Sequence, residues 1–142
     1  MILIDANLLL YAYHPRSSVH ERARTWLAST LSGPVPVRLA WTTLLAFLRI
    51  TTSPRIFERP LSMNEAEAVV STWLALPAVA TLEPGERYWG ILRDLLRSEQ
   101  VSGALVMDAA LAALAIEHGA TLCTTDRDFS RFRGLRVEDP LR

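Results

Sequence analysis

Four aspartates in this chain stand at points where their carboxylates could work together on a metal ion. They are Asp5, Asp108, Asp126 and Asp128. Carboxylates that are held close together repel one another, so a compact acidic group is costly unless a cation lies among them. Magnesium and manganese prefer such hard oxygen ligands. A bound ion lowers the pKa of a bound water and stabilises charge on a phosphodiester, so these residue types favour phosphoester hydrolysis.

The predicted secondary structure explains how aspartates so far apart in sequence meet. An apolar strand is predicted at 1–4, directly before Asp5, and another at 120–124, shortly before Asp126. Asp108 lies in the first turn of the helix that precedes this second strand. Functional sites of open parallel α/β sheets form outside the carboxyl ends of the strands. We therefore expect the aspartates to converge at that edge of the sheet.

The whole chain alternates between strand and helix patterns. Strands are predicted at 1–4, 35–39, 78–82, 120–124 and 135–137, helices at 6–13, 18–31, 44–50, 63–75, 86–97 and 106–117, and a turn or short helix at 126–131. Residues 62–65 match a capping box, Gly119 lies where a left-handed residue ends a helix, and Trp89 is expected to face inward. This order predicts an α/β fold with a central, mainly parallel sheet flanked by helices on both faces. The length of 142 residues is that of one ordinary domain, so we expect residues 1–142 to form a single domain.

Each aspartate also has a purely structural explanation. Asp5 is placed to cap the helix that follows it, and the helix dipole favours Asp108 in a first turn. The segment 126–128 has the composition of a solvated turn with local side-chain bonding. From the residues alone, both interpretations remain open. The hydroxyls of Thr124 and Thr125, just before Asp126, are candidates to orient a metal-bound carboxylate, although β-branched residues also suit the end of a strand.

Composition narrows the choice of function. All 15 basic residues are arginine, which disfavours an aspartyl phosphotransfer protein because such proteins normally use a lysine near the phosphoryl group. The net charge is zero, so any surface for nucleic acid must be local. Four arginines follow the strand predicted at 120–124: Arg127, Arg131, Arg133 and Arg136. Three roles remain open for them, which are binding RNA phosphates, forming a solvated face and contacting an acidic partner.

No apolar run is long enough to span a membrane, and a cytoplasmic protein is expected.

Three segments together resemble the motifs of PIN-domain nucleases. Residues 3–9 read LIDANLL and resemble the opening motif, and residues 107–115 read MDAALAALA and resemble the third acidic motif. Residues 118–129 read HGATLCTTDRDF and are similar to the closing motif. The size of the chain and the segments 44–50 and 52–60 resemble VapC-type toxins of bacterial toxin–antitoxin pairs.

This resemblance implies a PIN fold and a magnesium-dependent endoribonuclease, with manganese as a plausible substitute. It also implies a homodimer and inhibition by a VapB-type antitoxin. By their positions in the motifs, the resemblance implies that Asp5 and Asp108 bind the metal. It implies that Asp126 completes the acidic site, and we expect Asp126 to contact the metal as well. Asp128 is added as a catalytic candidate. The RNA target is not readable from the sequence.

One position departs from the family pattern. Toxins of this type usually carry a glutamate in the helix after the second strand, three residues before an arginine. Here Arg49 matches the arginine, and Ala46 stands at the glutamate position. Asp128, Glu21 or Glu58 are candidate substitutes. The departure also leaves a second interpretation open, a weak or inactive PIN-like domain that binds RNA or a partner.

Overall fold

The computed structural model describes residues 1–142 and confirms the predicted α/β architecture. The strands are β1 Ile2–Ile4, β2 Val37–Ala40, β3 Val79–Leu82, β4 Thr121–Cys123 and β5 Arg136–Glu138. The helices are α1 Ala6–Ala12, α2 His20–Leu31, α3 Trp41–Thr51, α4 Met63–Leu74, α5 Tyr88–Ser98 and α6 Leu105–His118, with a 3-10 turn at Arg127–Arg131.

The five strands form one sheet in the order β3-β2-β1-β4-β5, and every neighbouring pair is parallel. Side chains of successive strand residues point to opposite faces of a sheet. In β1, Ile4 accordingly packs in the apolar cluster that includes Phe47 of α3, and Leu3 packs in the cluster that includes Leu114 of α6. Both faces are therefore covered, and β1, with Asp5 at its end, lies in the middle of the sheet.

Local sequence signals set several helix ends. Ser62 and Glu65 exchange the two hydrogen bonds of a capping box at the start of α4, as predicted. Gly119 ends α6 with a φ of 68°, a left-handed conformation that glycine adopts without steric cost.

Two predictions about the helices were wrong. α3 begins at Trp41, three residues before the predicted start, because Ala40 is still extended and the chain passes straight from strand to helix without a capping side chain. Trp89 was expected to face inward on α5, yet it is 62% exposed. The inner stripe instead runs through Tyr88, Leu92 and Leu95, at the i, i+4, i+7 spacing of one helix face.

None of the helices is both long and apolar enough to cross a lipid bilayer.

Candidate active site

An open cleft of about 640 Å³ lies where β1 ends, and residues of α3 and α6 line it as well. Asp5 and Asp108 both line this cleft, which we call the acidic cleft. The side of α3 that faces it carries Thr42, Ala46 and Arg49. Two of the four predicted aspartates thus meet in one cavity, at the edge of the sheet that the strand pattern indicated.

Asp5 is fixed by two hydrogen bonds of 2.7 Å. Its Oδ1 accepts from the backbone N–H of Ala6 and so caps α1, and its Oδ2 accepts from the hydroxyl of Thr124. The capping role and the site role are therefore compatible. Burial is the main cause that raises the pKa of Asp5, the bonds from Thr124 and Ala6 lower it, and the charge of Asp126 raises it further.

Thr124, which is only 1% exposed, joins the ends of β1 and β4. Its hydroxyl donates to Asp5 and accepts from the backbone N–H of Asp126 at 3.0 Å and from Asn7 Nδ2 at 3.4 Å. Asn7 Nδ2 also donates to the hydroxyl of Thr125 at 3.1 Å. We call this set, Asp5, Asn7, Thr124, Thr125 and Asp126, the Thr124 network. Sequence reasoning offered both threonine hydroxyls as carboxylate partners, and the structure shows that Thr124 takes that position.

Asp108, on the opposite wall, has none of this support. Its pKa is raised by burial first, then by the charges of Asp126, Asp5 and Asp128, while Arg131 lowers it. No hydrogen bond contributes to the shift. The carboxylate therefore enters the cleft with negative neighbours and with its oxygens free to accept a ligand.

Asp126 and Asp128 lie beside the acidic cleft but do not line it. Asp126 lines a neighbouring polar pocket with Thr125 and Arg127, and its Oδ1 accepts from the backbone N–H of Asp128 at 2.9 Å. Asp126 thereby caps the 3-10 turn, which is the local bonding that its structural explanation foresaw. Its charge still acts on both Asp5 and Asp108. The direct metal contact expected of Asp126, and the catalytic part expected of Asp128, stay predictions.

The donor set of the cleft suits a hard divalent cation. Asp5 and Asp108 present carboxylate oxygens, and no basic side chain forms an ion pair with either of them. No three histidine, cysteine or acidic side chains are grouped closely enough to form a ready-made ligand cage. Magnesium commonly takes one or two carboxylates and keeps several waters, so the two aspartates fit that ion.

Two of the four arginines after β4 have partners within the chain. Arg136 donates to the carbonyl of Gly119, and Arg131 bonds to the carbonyl of Asp128 and lies 3.9 Å from its carboxylate. Arg127 and Arg133 form no ion pair, and all four arginines are exposed. Sequence reasoning missed Arg49 as a cleft residue, although its spacing of seven residues from Thr42 on one helix indicated a shared face.

Ala46 lines the acidic cleft, so the position without the usual glutamate does face the candidate metal site. None of the three proposed substitutes, Asp128, Glu21 and Glu58, is among the residues that line the cleft. Glu58 forms an ion pair with Arg16, and Glu21 lies 3.7 Å from His20.

The comparisons with known proteins agree with this fold. A family model described as PIN domain matches residues 2–135, and the chain therefore belongs to the PIN-domain family. Ribonuclease VapC37 of Mycobacterium tuberculosis is 42% identical over 140 residues, which cover 99% of this chain and 97% of that relative. Ribonuclease VapC33 of the same species is 40% identical over 142 residues, covering 100% and 99%. The resemblance to VapC-type ribonucleases is thus confirmed.

Two solved structures share the fold at lower identity. VapBC-1 from nontypeable Haemophilus influenzae superposes with a TM-score of 0.69 at 18% identity and full coverage of both chains. VapC20 of Mycobacterium tuberculosis, described as a sarcin-ricin loop cleaving toxin, has a TM-score of 0.66 at 20% identity, covering 96% of this chain and 99% of that one.

Proposed function

We propose that this chain is a VapC-type toxin, a magnesium-dependent endoribonuclease that hydrolyses RNA phosphodiester bonds, and that residues 1–142 act as one PIN domain. The observation that carries the proposal is the acidic cleft, in which Asp5 and Asp108 meet without a cationic partner. Full-length relatives named ribonucleases at 40–42% identity support the reaction class.

In this proposal Asp5 and Asp108 hold the metal ion, and manganese substitutes for magnesium. The ion would supply positive charge to the phosphodiester and lower the pKa of a bound water. Thr124 is a positioning residue, since its hydroxyl orients Asp5 and its oxygen fixes the backbone of Asp126. Asp126, set back from the cleft, would add negative charge and would contact the ion itself or a water bound to it, and Asp128, whose backbone N–H donates to Asp126, would support it.

The proposed partners are RNA, a VapB-type antitoxin and a second copy of this chain, in the cytoplasm. Solved relatives that are toxin–antitoxin complexes support the antitoxin. Two large apolar side chains, Trp41 at 47% and Trp89 at 62% exposed, suit burial at a subunit interface, which supports the homodimer.

Sequencing of RNA 5′ and 3′ ends after induced expression tests the proposal and reveals the target. New ends that appear with the wild-type chain, and are missing with an Asp108→Asn variant, support it. The absence of new ends with either protein would instead favour the second candidate, a PIN-like domain that binds RNA or a partner without cleaving. The observation that supports this second candidate is Ala46, which stands at the usual glutamate position and lines the cleft.

A further inference from the structure

The acidic cleft contains one basic residue. Among the side chains that line it, only Arg49 is positively charged. Arg49 is exposed, and it takes part in no ion pair with any acidic residue of the chain. An arginine that shares a cleft with two carboxylates but forms no ion pair with either keeps its planar set of N–H donors free for an incoming anion.

The neighbourhood of Arg49 explains why it is free. Ala46 lies one helical turn before it and also lines the cleft, so the nearest cleft position on α3 offers a methyl group instead of a carboxylate. A residue at this position with an acidic side chain would be close enough to neutralise the guanidinium. In this chain the charge stays available.

The geometry of α3 indicates which part of a substrate Arg49 can reach. Thr42, Ala46 and Arg49 form one stripe along the cleft, and Arg49 is about 10 Å along the helix axis from Thr42 at 1.5 Å per residue. α3 begins level with the end of β1, where Asp5 lies. Arg49 therefore lies about two helical turns along the cleft from the end of α3 that is level with Asp5, which suits a phosphate next to the one at the carboxylates.

We propose that Arg49 forms a phosphate subsite of the acidic cleft and binds a backbone phosphate of the RNA next to the one that is cleaved. This inference rests on the proposed function, because it assumes that the cleft takes RNA. Leu45 and Met107, both exposed in the lining of the same cleft, offer apolar surface to an unpaired base, so the cleft suits a single strand.

A helix-dipole role is the alternative explanation of Arg49, which lies in the last turn of α3. The chain offers a matched control. Arg97 lies in the last turn of α5, is also exposed and without an ion pair, and lies outside the cleft. Arg49→Gln and Arg97→Gln therefore remove the same charge from the same helix position, and only the first removes it from the cleft.

The test is equilibrium binding of a short, labelled, random-sequence single-stranded RNA in magnesium buffer over a range of salt concentrations. An Asp108→Asn background prevents cleavage. We expect Arg49→Gln to weaken binding roughly tenfold or more and to lower the slope of log affinity against log salt by about one, with Arg97→Gln close to the parent. Arg49→Lys should keep the salt slope, because it keeps the charge.

Each outcome decides something. The subsite is overturned if Arg49→Gln and Arg97→Gln have the same RNA affinity and the same salt slope. It is also overturned if Arg49→Lys has the lowered salt slope of Arg49→Gln. If the parent binds no RNA and the wild-type chain cleaves none, the proposed function itself fails, a result distinct from equal binding by all variants.

Discussion

The two walls of the acidic cleft are built in different ways. On the β1–β4 wall, Asp5 is held by the backbone of Ala6 and by Thr124, and the same hydroxyl fixes Asp126. On the α3–α6 wall, Asp108 has no hydrogen bond that lowers its pKa, and Arg49 has no ion-pair partner. The first wall is ordered by the fold, and the second carries charged groups that form no ion pair within the chain.

The difference matters for function because a site that is ordered on one side and unsatisfied on the other is prepared to bind. Preorganised groups lose little freedom when a ligand arrives. Unpaired charges on the opposite wall gain the most from it, since like charges near Asp108 currently oppose its ionisation. Substitutions at either wall test this difference.

The largest expected effect is on catalysis. Asp5→Asn and Asp108→Asn should each lower RNA cleavage by roughly a hundredfold or more, because each removes a proposed metal ligand from a site with few. Folding should persist, since asparagine also caps helices well and Asp108 has no hydrogen bond to lose. Cleavage assays with circular dichroism as a folding check test this, and Asp94→Asn on exposed α5 is the control. Full activity in either variant, with metal present, removes that residue from the mechanism.

The next effect tests the ordered wall. Thr124→Val keeps the shape of the side chain but removes the donor to Asp5 and the acceptor of Asp126. Cleavage should fall roughly ten- to a hundredfold, as for other groups that orient a metal ligand. The free energy of unfolding should fall by about 1–3 kcal/mol, because buried partners lose their bonds.

Thr124→Ser restores the hydroxyl and should recover most of both losses. Steady-state cleavage and urea denaturation measure the two effects. If serine and valine behave alike, the hydroxyl is not what orders this wall.

A smaller effect concerns the stability of the metal-free protein. The pKa of Asp108 in the folded state is raised above its ordinary value of 3.8, so ionisation of this group opposes folding. The cost is absent below the ordinary pKa and complete above the raised one. The free energy of unfolding of the wild type should therefore fall, relative to Asp108→Asn, as pH rises through that interval.

At neutral pH, Asp108→Asn should then be the more stable protein. Asp5→Asn should show no such gain, because it loses the acceptor for the Thr124 hydroxyl. Urea denaturation in chelator across this pH range tests the contrast between the walls. A loss of stability at neutral pH in Asp108→Asn would show that the α3–α6 wall is ordered after all.

The smallest effect comes from adding a carboxylate to the unsatisfied wall. Ala46→Glu should tighten magnesium binding severalfold, because it brings a third carboxylate into the cleft. It should also weaken RNA binding by pairing with Arg49 at i, i+3. Calorimetry and RNA binding measure these changes, and Ser71→Glu on the exposed side of α4 is the control for added charge. If Ala46→Glu strengthened the binding of both magnesium and RNA, or weakened both, the carboxylates and Arg49 would not have the separate roles of metal site and phosphate site.

Much of this fold could be predicted from sequence because its signals are local. Alternating strand and helix patterns predicted the parallel sheet, and the Ser62 capping box and Gly119 marked helix ends correctly. The orientation of Trp89 was not predictable in this way, since Tyr88 competes for the same inner stripe and tertiary packing decides between them.

In the site, too, some features could be predicted from local sequence patterns and others could not. The edge where Asp5 and Asp108 meet follows from strand order and the carboxyl-end rule. The separation of Asp126 into a neighbouring pocket depends on its bond to the Asp128 backbone, and the central position of Thr124 depends on contacts across 119 residues. Local patterns carry no signal for such long-range bonds.

A magnesium titration of the wild-type, Asp5→Asn and Asp108→Asn proteins, followed by calorimetry, tests the central claim most directly. The account predicts saturable binding to the wild type and a loss of at least roughly tenfold in affinity in both variants, because both aspartates hold the ion. Absence of binding to the wild type, or unchanged affinity in both variants, would contradict a metal site in the acidic cleft.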